Sequence, residues 1–137
     1  RSLERAAQTT NEWIDELDEA FGWKDRQRTY QSFRAVVHAL RDRLPVDEAV
    51  QLAAQFPTIL RGTYYDGWNP SKTPVAMRSQ EEFIERVVQE YGAPNISTPS
   101  EMISVVFGLL GRRISDGEIE DVKASLPKDL VAMWPQA

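Results

Sequence analysis

Thr9–Gly22, TTNEWIDELDEAFG, and Ser79–Gly92, SQEEFIERVVQEYG, follow one pattern twice at an offset of 70 residues. In each, apolar residues recur at i, i+4 and i+8: Trp13, Leu17 and Phe21, then Phe83, Val87 and Tyr91. That spacing lays one apolar stripe along a helix and predicts that the stripe faces a core. Thr9 with Glu12, and Ser79 with Glu82, fit a capping box, in which hydroxyl and carboxylate satisfy backbone donors left free at a helix start. Gly22 and Gly92 suit the left-handed residue that closes a helix, followed by Trp23 or by Ala93-Pro94.

The register continues through the rest of the chain. Val36/Val106, Leu40/Leu110, Arg43/Arg113, Glu48/Glu118, Pro57/Pro127 and Leu60/Leu130 are identities at the same offset, and Leu44/Ile114, Leu52/Val122, Phe56/Leu126 and Tyr64/Trp134 keep an apolar residue in both places. A second helix is predicted from about Asp25 to Arg43 and from about Thr98 to Arg113. There Thr98, Pro99 and Glu101 supply a capping hydroxyl, a first-turn proline and a box carboxylate. A third follows Pro45 and Ser115, with acidic residues in the first turn where they favour the helix dipole. A short fourth begins near Pro57 and Pro127. Gly67, Asn69, Pro70, Ser71 and Pro74 mark residues 65–78 as an ordered turn and linker. No segment alternates as a strand would.

The fold class predicted is all-α, with about eight helices in two tandem, pseudo-symmetric four-helix repeats sharing one core. Residues 1–64 form the first repeat, 65–78 the linker and 79–137 the second, in one compact unit. Each half of roughly 65 residues would bury too little apolar surface to be stable alone.

The 137-residue chain is 42% apolar and carries 16 basic against 21 acidic side chains, a net charge of −5. A nucleic-acid binder is normally basic, so nucleic acid is not an expected partner. No apolar run approaches the roughly 18 residues of a membrane span and no signal-peptide core is visible, so a soluble, cytoplasmic protein is expected, with no membrane partner. With no cysteine and a single histidine, His38, thiolate and polyhistidine metal sites are excluded. Asp15 and Glu19 share a helix face but lack the Glu-x-x-His partners of a di-iron bundle, and no calcium-loop spacing occurs. No nucleophile elbow or phosphate loop is present. The expectation is therefore no catalytic residue, no metal and no cofactor.

Two features remain. Gln27, Gln31, Arg34, His38 and Arg41 form a polar stripe on the second helix, predicted to face solvent or a polar partner, with Arg41-Asp42-Arg43 making ordinary surface ion pairs. At the offset positions the later helix has Ser104, Gly108 and Gly111 among Ile103, Val106, Phe107 and Leu110. That composition predicts central burial, with Gly108 permitting close helix approach. The second feature is Arg61-Gly62-Thr63-Tyr64-Tyr65-Asp66-Gly67-Trp68. Tyr64 aligns with Trp134 and is expected to plug its own helical unit with its polar atom near solvent. Tyr65 and Trp68 lack such counterparts; beside Arg61 they offer a surface for an anionic or peptide partner, or else a staple for the linker.

Candidate binding residues are thus Arg34, His38, Arg41, Arg61, Tyr65 and Trp68. The function expected is a non-enzymatic interaction or adaptor module with a protein partner or self-association. The alternative is a small-ligand-binding or regulatory protein that clamps a small anionic ligand in an arginine and aromatic cleft between the repeats.

Three stretches, His38-Ala39-Leu40-Arg41-Asp42-Arg43-Leu44-Pro45, Arg61 to Trp68, and Gly117-Glu118 through Leu126-Pro127, resemble the bacterial family catalogued as domain of unknown function 2267. The resemblance implies a helical fold and a cytoplasmic bacterial setting, and carries over no activity.

Overall fold

A computed structural model describes residues 1–93 and 98–136, so Pro94 lies outside the described residues. Among those described there are eight α-helices and no strand. The helices are α1 (Ser2–Phe21), α2 (Arg26–Arg43), α3 (Val46–Ala53), α4 (Thr58–Tyr65), α5 (Gln80–Tyr91), α6 (Pro99–Arg113), α7 (Asp116–Ala124) and α8 (Lys128–Val131), with one turn of 3-10 helix at Pro70–Lys72 in the linker.

Most boundaries follow the local chemistry. Gly22 and Gly92 close α1 and α5 with φ of 71° and 79°, in the left-handed region that glycine tolerates. Asp25 caps α2 by accepting from the Arg28 amide at 3.1 Å. At α5 the Ser79–Glu82 capping box forms in both directions. Thr9 is different: it lies inside α1, because Ser2 to Gln8 contain nothing that stops a helix, and the neighbouring Thr10 hydroxyl turns back to the Ala6 carbonyl at 2.9 Å. Thr98 holds the cap position of α6 without a side-chain bond, so Pro99 and the first-turn carboxylate of Glu101 carry that start.

Buried apolar side chains from every helix form one connected cluster, including Leu17, Phe33, Leu40, Leu52, Leu60, Val87, Phe107, Val122 and Leu130. Its axis is α2, which packs against α1, α4, α5 and α6 and makes its most extensive contact with α5. Every residue from Ala35 to Asp42 is buried. This reverses two expectations. The polar stripe of α2 does not face solvent at His38 and Arg41, which are 1% and 3% exposed, because α5 and the end of α4 cover it. Conversely α6 is not the central helix, since Gly111, Arg112 and Arg113 are exposed. Nor does Gly108 let a helix approach closely: a Cβ there would meet Arg112 Nη1 at 3.3 Å and Pro135 Cγ at 3.4 Å.

Arg41 and Asp42 are likewise no surface pair. Adjacent on α2 and both buried, they join Arg41 Nε to Asp42 Oδ1 at 2.8 Å, while Arg86 on α5 reaches Asp42 Oδ2 at 2.8 Å. The linker is held over the same end of α2 by the Val75 amide on the Asp42 carbonyl at 2.7 Å and by Arg43 Nε on the Met77 carbonyl at 2.7 Å. Asp42 is therefore the acceptor on which two guanidiniums converge. Removing its charge leaves Arg41 buried without its counter-ion, so Asp42→Asn is expected to cost about 3–5 kcal/mol of stability. Urea unfolding checks this; a loss below about 1 kcal/mol, the range of exposed pairs, would show that water shares the site.

Candidate functional site

The six candidate residues separate into a closed seam and one outlier. His38 Nε2 lies 2.7 Å from the Thr63 carbonyl oxygen, which can only accept, so Nε2 donates this bond. Its Nδ1 faces Glu90 Oε1 at 3.0 Å, leaving neither ring nitrogen free. Arg41 Nη1 donates to the carbonyls of Tyr64 and Asp66 at 2.8 and 3.0 Å, closing the C-terminal end of α4. Arg34 reaches Asp66 Oδ2 at 3.1 Å on the outer side. Tyr65 and Trp68 stack with ring centroids 5.5 Å apart and pack half-buried against the core. These five residues meet where α4 passes into the linker. Arg61 does not join them through its guanidinium, which donates from Nε to Ala53 O at 3.0 Å and from Nη2 to Phe56 O at 2.9 Å, capping α3.

The His38 ring and the Arg41 guanidinium are committed to neighbours, and the Trp68 indole Nε1 is buried without a partner among the described residues, so this seam holds helices together and offers little to a ligand. Tyr64 is sealed in the same way. It is fully buried, and its hydroxyl donates to the Ala49 carbonyl at 2.8 Å instead of approaching solvent, so burial pushes its ionisation far up.

The open site lies 70 residues further on. A groove of about 620 Å³ runs between α6, α7 and the chain after α8, with Gly108 and Gly111 in its wall. These glycines occupy the offset positions of His38 and Arg41, the side chains that seal the first seam. Phe107 and Trp134, stacked at 4.2 Å, form the apolar side. Lys123 Nζ stands 5.6 Å from the Trp134 ring centroid. Arg112 is held through Nε by Glu16 Oε2 at 2.6 Å, while its Nη1 lies over Gly108. Burial resists ionisation of Glu16, but its hydrogen bonds and charge contacts with Arg112 and Arg113 prevail and lower its pKa. Asp116 and Glu120, also lining the groove, are exposed. Two cations, two carboxylates and an aromatic wall can orient a small polar molecule with an apolar part.

A third cluster was invisible to spacing. Glu48 on α3 and Glu118 on α7, an identity at the 70-residue offset, turn toward each other, and Asp121 completes a set whose carboxylate oxygens lie within 4.8 Å of one another. It is the grouping of potential metal ligands found among the described residues; Asp15 and Glu19 face solvent, with Asp15 paired to Arg26. Loss of water around Glu118, with hydrogen bonding and repulsion from Glu48 and further repulsion from Asp121, pushes its pKa up to about 8 from an ordinary 4.5. The native state therefore holds this proton more tightly than the unfolded chain, and the stability contributed by Glu118 declines as pH rises from about 4.5 through about 8. Glu118→Gln removes that decline. Urea unfolding between pH 5 and pH 8.5 should show the variant gaining on the parent toward high pH; an equal difference at every pH would refute the raised pKa.

No helix among the described residues is long and apolar enough to cross a membrane. No curated protein matches the chain. The family model described as "Uncharacterized conserved protein (DUF2267)" matches residues 10–133, nearly the whole chain and all of α2, α4 and α6 that build the seam and the groove. By that match the chain belongs to the DUF2267 family.

Proposed function

We propose that the chain is a non-enzymatic small-ligand-binding module of the cytoplasm, built from two tandem pseudo-symmetric repeats, residues 1–64 and 79–137, joined by 65–78 around one core. The ligand sits in the groove of the second repeat. One observation carries this reading: His38 and Arg41 fill and seal the first repeat, whereas Gly108 and Gly111 leave open the corresponding wall of a groove of about 620 Å³. That volume falls within the roughly 300–1,000 Å³ of small-molecule sites. The binding place differs from the cleft first expected, because Arg41 and Arg61 are committed to backbone carbonyls. The adaptor reading has less to support it: the exposed large apolar residues among those described are Leu3, Val50 and Ile59, a small set on which to build a protein interface.

Filling the groove tests the proposal. Gly108→Leu places a side chain against Arg112 and Pro135, neighbours at the surface, and exchanges a helix-interior glycine for a better helix former. Stability should stay within about 1 kcal/mol of the parent, since propensity offsets crowding. In a fragment screen read by amide and indole NMR shifts, hits on the parent should cluster at Gly108, Gly111, Lys123 and Trp134 and be lost in the variant. Hits confined to other surfaces, or retained by the variant, would refute the assignment.

A further inference from the structure

We propose that Glu48, Glu118 and Asp121 form a site for one hard divalent cation of the calcium or manganese class, bridging α3 and α7. The ligand set is all oxygen, which suits such ions and no softer metal. Its carboxylate oxygens lie within 4.8 Å of one another, so one ion can reach all three, the side chains drawing in slightly to the 2.3–2.6 Å typical of calcium. Glu118 supplies the second observation. It is 9% exposed, its Oε2 has no hydrogen-bond partner among the described residues, and its carboxylate is aimed at those of Glu48 and Asp121. Glu48 Oε2 is buried and unpartnered as well. A buried carboxylate oxygen without a donor needs a proton or a cation.

The local sequence makes the orientation of Glu118 informative. Ser79-x-x-Glu82 and Ser115-x-x-Glu118 have the same capping pattern. Glu82 folds back and accepts from the Ser79 amide at 3.1 Å. Glu118 does not: the Ser115 amide is satisfied by Gln55 Oε1 at 3.2 Å, which releases the glutamate to face Glu48. With Asp121 exposed, water can complete the coordination sphere on the outer side.

The test uses the full chain at pH 8, with calcium, manganese or magnesium chloride against sodium chloride at equal ionic strength. Calcium and manganese should raise the melting temperature saturably, and electron paramagnetic resonance should count one bound Mn²⁺ per chain. Glu118→Gln should weaken binding at least tenfold and Asp121→Asn severalfold, while Glu101→Gln on α6 should leave it unchanged. Glu48→Gln gives a second reading should Glu118→Gln prove unstable. No saturable response to any of the three ions, or an equal response in Glu118→Gln, would overturn the site and leave a proton-sharing pair. Neither result bears on the groove, whose lining includes none of these residues.

Discussion

The guanidinium of Arg41 is the fixed point around which this fold is arranged. A cation at 3% exposure is tolerable only when its donors are met, and Arg41 meets the Asp42 carboxylate and the carbonyls of Tyr64 and Asp66. These bonds determine where α4 ends and how the chain leaves it. Because Asp42 has a second oxygen to satisfy, Arg86 is drawn in, and with it α5. His38, one turn earlier on α2, repeats the logic by taking the Thr63 carbonyl and Glu90. The helix with the lower apolar content thus becomes the most enclosed, since its polar groups bind the carbonyls and carboxylates of neighbours that would otherwise lack donors.

At the positions offset by 70 residues from His38 and Arg41 the later half has no charged side chain. Gly108 and Gly111 provide no donors, and Trp134 rests on Phe107 by stacking, whereas Tyr64 at the offset position is pinned through its hydroxyl. Stacking orients two rings but fills no space beyond them. The volume released by two missing side chains stays open, and the cations beside it, Arg112 and Lys123, come from positions that hold Asp42 and Ala53 in the first half. If the two halves are the repeats proposed above, sealing and opening are alternative uses of one helical arrangement.

This explains which features the sequence discloses. Helix ends set by glycine, proline or a serine–glutamate pair are legible because their chemistry is local, as at Gly22, Gly92, Pro99 and Ser79. The start of α1 is not, because a threonine and glutamate in capping spacing look the same inside a helix when helix formers precede them. The burial of α2 is hidden for a different reason. Periodicity sorts residues by hydropathy and assigns His38 and Arg41 to water, while their actual surroundings depend on Glu90 and on carbonyls brought from residues 63–66. The groove was half visible, in that Gly108 and Gly111 mark a depleted face, but a depleted face reads equally well as close packing.

Glu48 and Glu118 carry the lesson furthest. Taken singly, each is a carboxylate in the first turn of a helix, where the dipole favours it, and nothing distinguishes it from Asp47 or Asp116. Their identity at the 70-residue offset acquires meaning under the proposed pseudo-symmetry of the two halves, in which a residue at the contact between them faces its own counterpart. Most residue types pack acceptably against themselves. A carboxylate does not, because two like charges in a water-poor contact raise each other's ionisation cost until a proton or a cation intervenes. An apolar residue at both positions would have closed α3 on α7 without that demand. Acidic residues in both places make this contact answer to pH and to divalent ions, whereas the Arg41 seam, built from paired opposite charges, has no such need.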